Sequence, residues 1–205
     1  MSFVGVDLFD VAVEQATAFA QTIPGFANCS FQVADVSTGL PFDDASVNAV
    51  NLADVLEHLA DPGAALAELW RIAAPGATLV VSTPLRDSVF KRLAAIANRS
   101  LRGRLYRAYY EGKGATLDEA GEPVMETSAG LDHVSEMTLP ELIGVCEIAG
   151  FQVLDVELMT VMSGSRWLDR HEALLAGLLV LEAVHRRLRR PSWAHSVMLR
   201  LRKPV

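Results

Sequence analysis

The sequence predicts an α/β fold: a doubly wound, mostly parallel sheet with helices on its faces. Short apolar runs alternate with stretches of helical periodicity, which is the pattern such a sheet requires. Two of the early apolar runs also end on a carboxylate, the position where open α/β sheets hold ligands.

The first run, Phe3-Val4-Gly5-Val6-Asp7, reads as a buried strand that ends on an acid. Residues 11–22 follow as a helix with Asp10 as its N-cap. Further strands are expected at 30–34, 47–52, 77–82, 151–158 and 196–202. The helix over 62–74 has the clearest start signal: Asp61 can cap it, and Pro62 fits N1, where no donor is needed. Pro75-Gly76 stops it, and Leu66, Leu69, Trp70 and Ala73 share one face. A third helix covers 138–149, with Thr138 near its cap, Pro140 in its first turn and Gly150 just past its end.

Residues 84–132 break this rhythm. A basic amphipathic stretch, "FKRLAAIANRSLRGRLYRAYY", precedes a Gly- and Glu-rich loop, "EGKGATLDEAGEP". Residues 85–132 are therefore expected to form a lid or substrate insertion within a single domain spanning 1–205. Tyr106, Tyr109 and Tyr110 either line an acceptor pocket there or form the lid's own core.

Composition narrows the function classes. With 51% apolar and 21% charged residues the chain reads as globular, and a net charge of −7 argues against general nucleic-acid binding. From Arg86 to Arg107, however, there are seven Lys/Arg and one acid, and His185 to Lys203 is basic as well. These segments are either solvated helix faces or surfaces for an anionic acceptor or a peripheral membrane contact. Cys29 and Cys146 lie far apart and form no metal-ligand spacing, so free thiols and no metal are expected. The run Ala173 to Val184 contains Glu182 and is too short to span a bilayer. With no leader visible, a soluble cytoplasmic protein is expected.

Two strand ends carry an acid followed by an apolar residue: Asp7-Leu8 and Asp35-Val36. One carboxylate can accept from two ribose hydroxyls, and the other from an exocyclic adenine amine, with Leu8 and Val36 sandwiching the base. Taken singly, each acid also suits a helix cap or a turn.

The segment "LPFDDASVNAVNLADVLEHLADPGAALAELWRIAAPGATLVVSTP", residues 40–84, resembles the class I S-adenosylmethionine-dependent methyltransferases, especially the small-molecule group that includes quinone-biosynthesis enzymes. "VGVDLF", "ADV" at 34–36 and "HVSEMTLPELIGVCEIAGFQV" at 133–153 resemble other parts of the same family. The resemblance implies a Rossmann-like fold and S-adenosylmethionine as cofactor. It implies that Asp7 binds the ribose, Leu8 packs on adenine, and Asp35 and Val36 contact the adenine amine and ring. Leu52, Ala53 and Asp54 would line the methionine end, and Glu57 and His58 belong to the motif that follows.

A sulfonium methyl is already an activated electrophile, so the protein has to align the acceptor, exclude water and sometimes remove a proton. His133 is the leading candidate for that base and His58 a second; either could instead be structural. The acceptor is expected to be a small molecule, a lipid or a glycan-type intermediate.

The family's pattern begins with a strand and a GxGxG-type loop, and no such glycine motif lies upstream of Asp7. Gly112, Gly114, Gly121 and Gly130 are too scattered to replace it. On this reading the chain is N-terminally truncated and opens on the family's second strand, with the central strand of the sheet missing. A recorded start that is too late, a fragment, or a partner subunit completing the sheet would each account for it. A non-catalytic methyltransferase-like protein and a nicotinamide-dependent oxidoreductase are the competing readings.

Overall fold

The computed structural model describes residues 2–26, 28–89, 133–159 and 190–205, with a few more between 92 and 188. Its first layer is a pair of parallel strands, β1 (Phe3–Asp7) and β2 (Cys29–Val33), joined by α1 (Asp10–Gln21). Gly5 stands opposite Phe31, whose ring lies so close that no Cβ fits. Phe9, not Asp10, precedes the first turn of α1. Asp10 is already helical, and its carboxylate accepts from the Val11 amide at 2.7 Å.

The second layer is a four-stranded sheet in the order β3 (Val47–Ala53), β4 (Ala73–Pro84), β8 (Ser196–Arg202), β7 (Gln152–Met159). β3 and β4 run parallel, whereas β8 is antiparallel to both of its neighbours, so this sheet is mixed. A short antiparallel pair, β5 (Thr116–Leu117) and β6 (Pro123–Val124), stands apart. Among the described residues no ladder joins the β1–β2 pair to the four-stranded sheet.

α2 (Pro62–Ile72) starts as expected, with the Asp61 carboxylate accepting from the Ala64 amide at 3.1 Å and Pro62 in its first turn. It stops two residues before the expected 74 because Ala73 already begins β4. Long-range partners take its terminal carbonyls: Lys203 Nζ donates to Trp70 O (2.7 Å) and Ala73 O (2.9 Å), and the Ser46 amide donates to Ile72 O. A cation at that end also complements the helix dipole.

α3 (Leu139–Ile148) opens on Glu141, which accepts from the Thr138 amide (2.8 Å) and hydroxyl (2.9 Å) and pairs with Arg86 through both oxygens at 2.7 Å. The Thr138 amide first, and then the Arg86 guanidinium, hold the Glu141 carboxyl down at about 2. The helix ends as a Schellman motif: the Gly150 amide donates to Glu147 O and the Phe151 amide to Cys146 O, with Gly150 at φ +99°.

The core lies between the four-stranded sheet and the helices α2 and α3. Leu66, Leu69 and Ile72 from α2 and Leu142 and Cys146 from α3 meet Leu79, Val81, Leu199 and Leu201 of the sheet, all buried. Burial pushes the Cys146 thiol up to about 12, so it behaves as an apolar side chain. No residue of β1, α1 or β2 belongs to this core.

The expected lid lies mostly outside the described residues, Tyr106, Tyr109 and Tyr110 included, as does half of the run from Ala173 to Val184. Among the described residues no helix is long and apolar enough to cross a membrane.

Candidate functional site

The carboxyl ends of the parallel strands carry nearly all the residues singled out in the sequence. Asp7 closes β1 and stays exposed. Its main-chain oxygen accepts from the Ala34 amide at 3.0 Å, which brings the end of β2 to the same edge. One oxygen of the Asp7 carboxylate accepts from the Phe9 amide at 2.9 Å. One oxygen of the half-buried Asp35 accepts from both the amide (2.8 Å) and the hydroxyl (2.6 Å) of Ser37. Both acids thus form turns through Oδ1, and Oδ2 of each takes no hydrogen bond among the described residues. Leu8 is 48% exposed, whereas Val36 packs against the core.

At the end of β3, Leu52 is buried in the core, while Ala53 and Asp54 are exposed. Asp54 has φ +52°, a left-handed conformation that is uncommon for a residue other than glycine. Its amide donates to Ser82 O at 2.9 Å, and the Ser82 hydroxyl reaches its carboxylate at 3.3 Å. Strained backbone of this kind clusters at ligand-facing turns.

A second group forms on the turn that follows. A short 3-10 turn, Leu56–His58, is tied to the segment before α3: the Val134 and Ser135 amides donate to Glu57 O at 2.9 and 3.0 Å. The Ser135 hydroxyl lies within hydrogen-bonding reach of Leu56 O (2.8 Å) and Leu59 O (2.7 Å). This bracing sets the His58 and His133 rings edge to face, 4.9 Å between centroids. His133 Nδ1 stands 2.7 Å from Glu136 Oε1. The Glu57 side chain is buried at 1% exposure, and Thr83, at the end of β4, donates its hydroxyl to Oε2 at 2.9 Å. One ligand atom from each of Glu57, His58 and His133 lies within 4.8 Å of the others.

Burial raises the Glu57 carboxyl above the ordinary carboxylate range, against the opposing hydrogen bonds from its own backbone and Thr83. An acid with a raised folded pKa contributes most to stability below its unfolded value, and that contribution is lost as pH rises through the folded value. Glu57→Gln keeps an oxygen for Thr83 and removes the buried charge. Thermal melts should therefore show the variant gaining on the parent as pH rises above the ordinary carboxylate range. A difference that shrinks as pH rises would contradict a carboxyl raised by burial.

The structure thus unites Glu57, His58 and His133, and separately brings Asp7 and Asp35 to one edge. The first group stands on the four-stranded sheet and the second on the β1–β2 pair. The sequence reading had no reason to single out Thr83, Ser135 or Glu136. The one local signal was that "LEH" and "DHVSE" each place an acid beside a histidine.

Residues 1–81 match the family model of a methyltransferase domain. An uncharacterized 37.1 kDa protein in a Streptomyces fradiae transposon is 36% identical over 86 residues, covering 42% of this chain and 24% of that protein. The demethylmenaquinone methyltransferase of Renibacterium salmoninarum is 37% identical over 79 residues, a third (33%) of each chain. The chain spans a third or less of the length of these curated relatives. Among solved structures, the [4+2]-cyclase SpnF superposes with a TM-score of 0.58 at 19% identity, over 100% of this chain and 68% of that one. A SAM-dependent methyltransferase from Methanosarcina mazei gives 0.58 at 16% identity, over 100% and 82%. At such identities the likeness shows the fold.

Proposed function

Since the chain is related to the S-adenosylmethionine-dependent methyltransferases by sequence over residues 1–81 and by fold over its length, we propose that it belongs to an enzyme that methylates a small-molecule, lipid or glycan-type acceptor. The observation that carries this reading is the pair of acids, Asp7 and Asp35, brought to one strand edge with an uncommitted carboxylate oxygen each. Those oxygens suit a ribose diol and an adenine amine, and Leu8 and Val36 suit the two faces of the base. Ala53 and Asp54, exposed at the end of β3, would face the methionine end, with buried Leu52 fixing the strand beneath them. When bound, the cofactor supplies an activated methyl group. The chain's own part is to hold the acceptor in line and to take a proton at an imidazole nitrogen of His133 or His58 where the acceptor carries one.

Calorimetry with S-adenosylhomocysteine tests this. Losing one ligand contact to a carboxylate costs about 1.5–3 kcal/mol, so Asp7→Ala and Asp35→Ala should each weaken binding roughly 10- to 100-fold. Unchanged affinity in both variants, or tighter binding of NAD than of S-adenosylhomocysteine, would sink the assignment.

A second reading has its own support. Among the described residues the β1–β2 pair and the four-stranded sheet share no ladder, and unpaired strand edges favour addition of a strand from another chain. A methyltransferase-like partner subunit completed in that way would bind cofactor only within a complex. The likeness to a [4+2]-cyclase also illustrates that this fold hosts more than one chemistry.

A further inference from the structure

We propose that Arg71, in the last turn of α2, is a positioning residue for Asp35: it clamps the loop that follows Asp35 and so aims that carboxylate at the amine of an adenine ring. The inference rests on the functional reading above and assigns a role to a residue that itself touches no ligand.

Asp35 stands two residues beyond the end of β2. Its main-chain oxygen accepts from the Thr38 and Gly39 amides, both at 3.1 Å. Together with the Ser37 contacts, these bonds close a tight turn that carries the carboxylate. The turn runs into Leu40, and there the chain is held from both sides. The Leu40 amide donates to Glu68 Oε1 at 2.6 Å, while Leu40 O accepts from Arg71 Nη2 at 3.0 Å. Arg71 Nη1 donates to Phe42 O at 2.9 Å and to the Asp44 carboxylate at 2.6 Å. Arg71 Nε and Nη2 meet the two oxygens of Glu68 at 2.8 and 2.6 Å. One planar guanidinium thus grips Glu68 with one edge and two loop carbonyls with its remaining donors, which an ammonium cannot reproduce.

Among the described residues no ladder joins the β1–β2 pair to the four-stranded sheet. The loop after Asp35 meets the core through Val36, Leu40 and Phe42 and through this clamp. Apolar contact is non-directional, whereas the bonds to Leu40 and Phe42 fix how the loop is oriented. The Asp44 carboxylate is 79% exposed, so that ion pair adds little, and the constraint lies in the bonds to the half-buried Leu40 and Phe42. The Arg71 hydrogen bond holds the Glu68 carboxyl below the ordinary carboxylate range, so the clamp stays charged at neutral pH.

The test compares two ligands by calorimetry on the full chain: S-adenosylhomocysteine and its 6-deamino analogue, in which hydrogen replaces the exocyclic amine. The parent should prefer the amine-bearing ligand by about tenfold or more, the worth of a hydrogen bond to a carboxylate. Arg71→Ala should cut that preference by roughly threefold or more, and in an Asp35→Ala background it should change the preference no further. Should Arg71→Ala fail to fold by circular dichroism, Arg71→Lys keeps the stem and the charge without the fork and should lower the preference too. Hydrogen exchange gives a readout without ligand: the Thr38, Gly39, Leu40 and Phe42 amides should exchange faster in the variant while α3 is unchanged. An equal loss of affinity for both ligands would mark a merely structural role and overturn the proposal. If the parent discriminates and a folded variant discriminates equally, the proposal falls and the functional reading stands. If the parent binds neither ligand, both fall.

Discussion

Phe151→Ala should lower the unfolding free energy by about 3–5 kcal/mol, read as a drop in the urea midpoint at an unchanged slope. Phe151 is 2% exposed and stacks edge-on against Trp70, with centroids 5.1 Å apart at 76°. It also begins the run into β7 and closes the Schellman turn through its amide. Truncation removes a large buried area and an aromatic contact, and the backbone bond holds the site open as a cavity. A loss below 1 kcal/mol would mean that Trp70 refills the space and that the packing around α2 is looser than it stands here.

Gly150→Ala is the second large effect, at about 1–3 kcal/mol. Its φ of +99° lies where an L side chain is strained, and a Cβ there would sit 3.0 Å from two carbons of the Trp70 ring. The ring has little room to retreat. Phe151 stacks on it, Lys203 Nζ lies 4.6 Å from its centroid, and the same ammonium donates to the Trp70 carbonyl. The double variant with Phe151→Ala should cost less than the sum of the singles, because the vacated space lets Trp70 move away from the new methyl group. Chemical denaturation of the three variants decides it, and strict additivity would refute the shared-ring argument.

Much of this was legible in the sequence, for local reasons. Apolar runs marked each strand of the two main layers to within a few residues, and Asp61-Pro62 and Gly150 marked helix ends through chemistry that acts over one turn. The misjudged boundaries had distant causes. α2 ends at Ile72 because Lys203 and Ser46 take its last carbonyls, and nothing near residue 74 records that. The cap of α1 shifts by one residue, since Asp10 serves as well inside the first turn as before it. The acids Asp7 and Asp35 were visible because a strand end is a local pattern. The meeting of Glu57 with His133 was not, because it depends on Ser135 bracing one loop on another.

The division of the described strands of the two main layers into separate ladders also bears on how the molecule opens. The β1–α1–β2 layer contributes one buried apolar residue, Ala20, and displays Phe3, Val4, Phe19 and Val33 to solvent, while the core lies wholly under the other sheet. Opening free energy follows buried contact, so the β1–α1–β2 layer is expected to open at lower free energy than the core beneath the four-stranded sheet. Asp7 closes β1 of that layer, whereas Asp35 follows β2 and precedes Val36, which packs against the core. A ligand gripping both would therefore tie the thinly buried layer to the core, and its binding should raise the protection of that layer against opening.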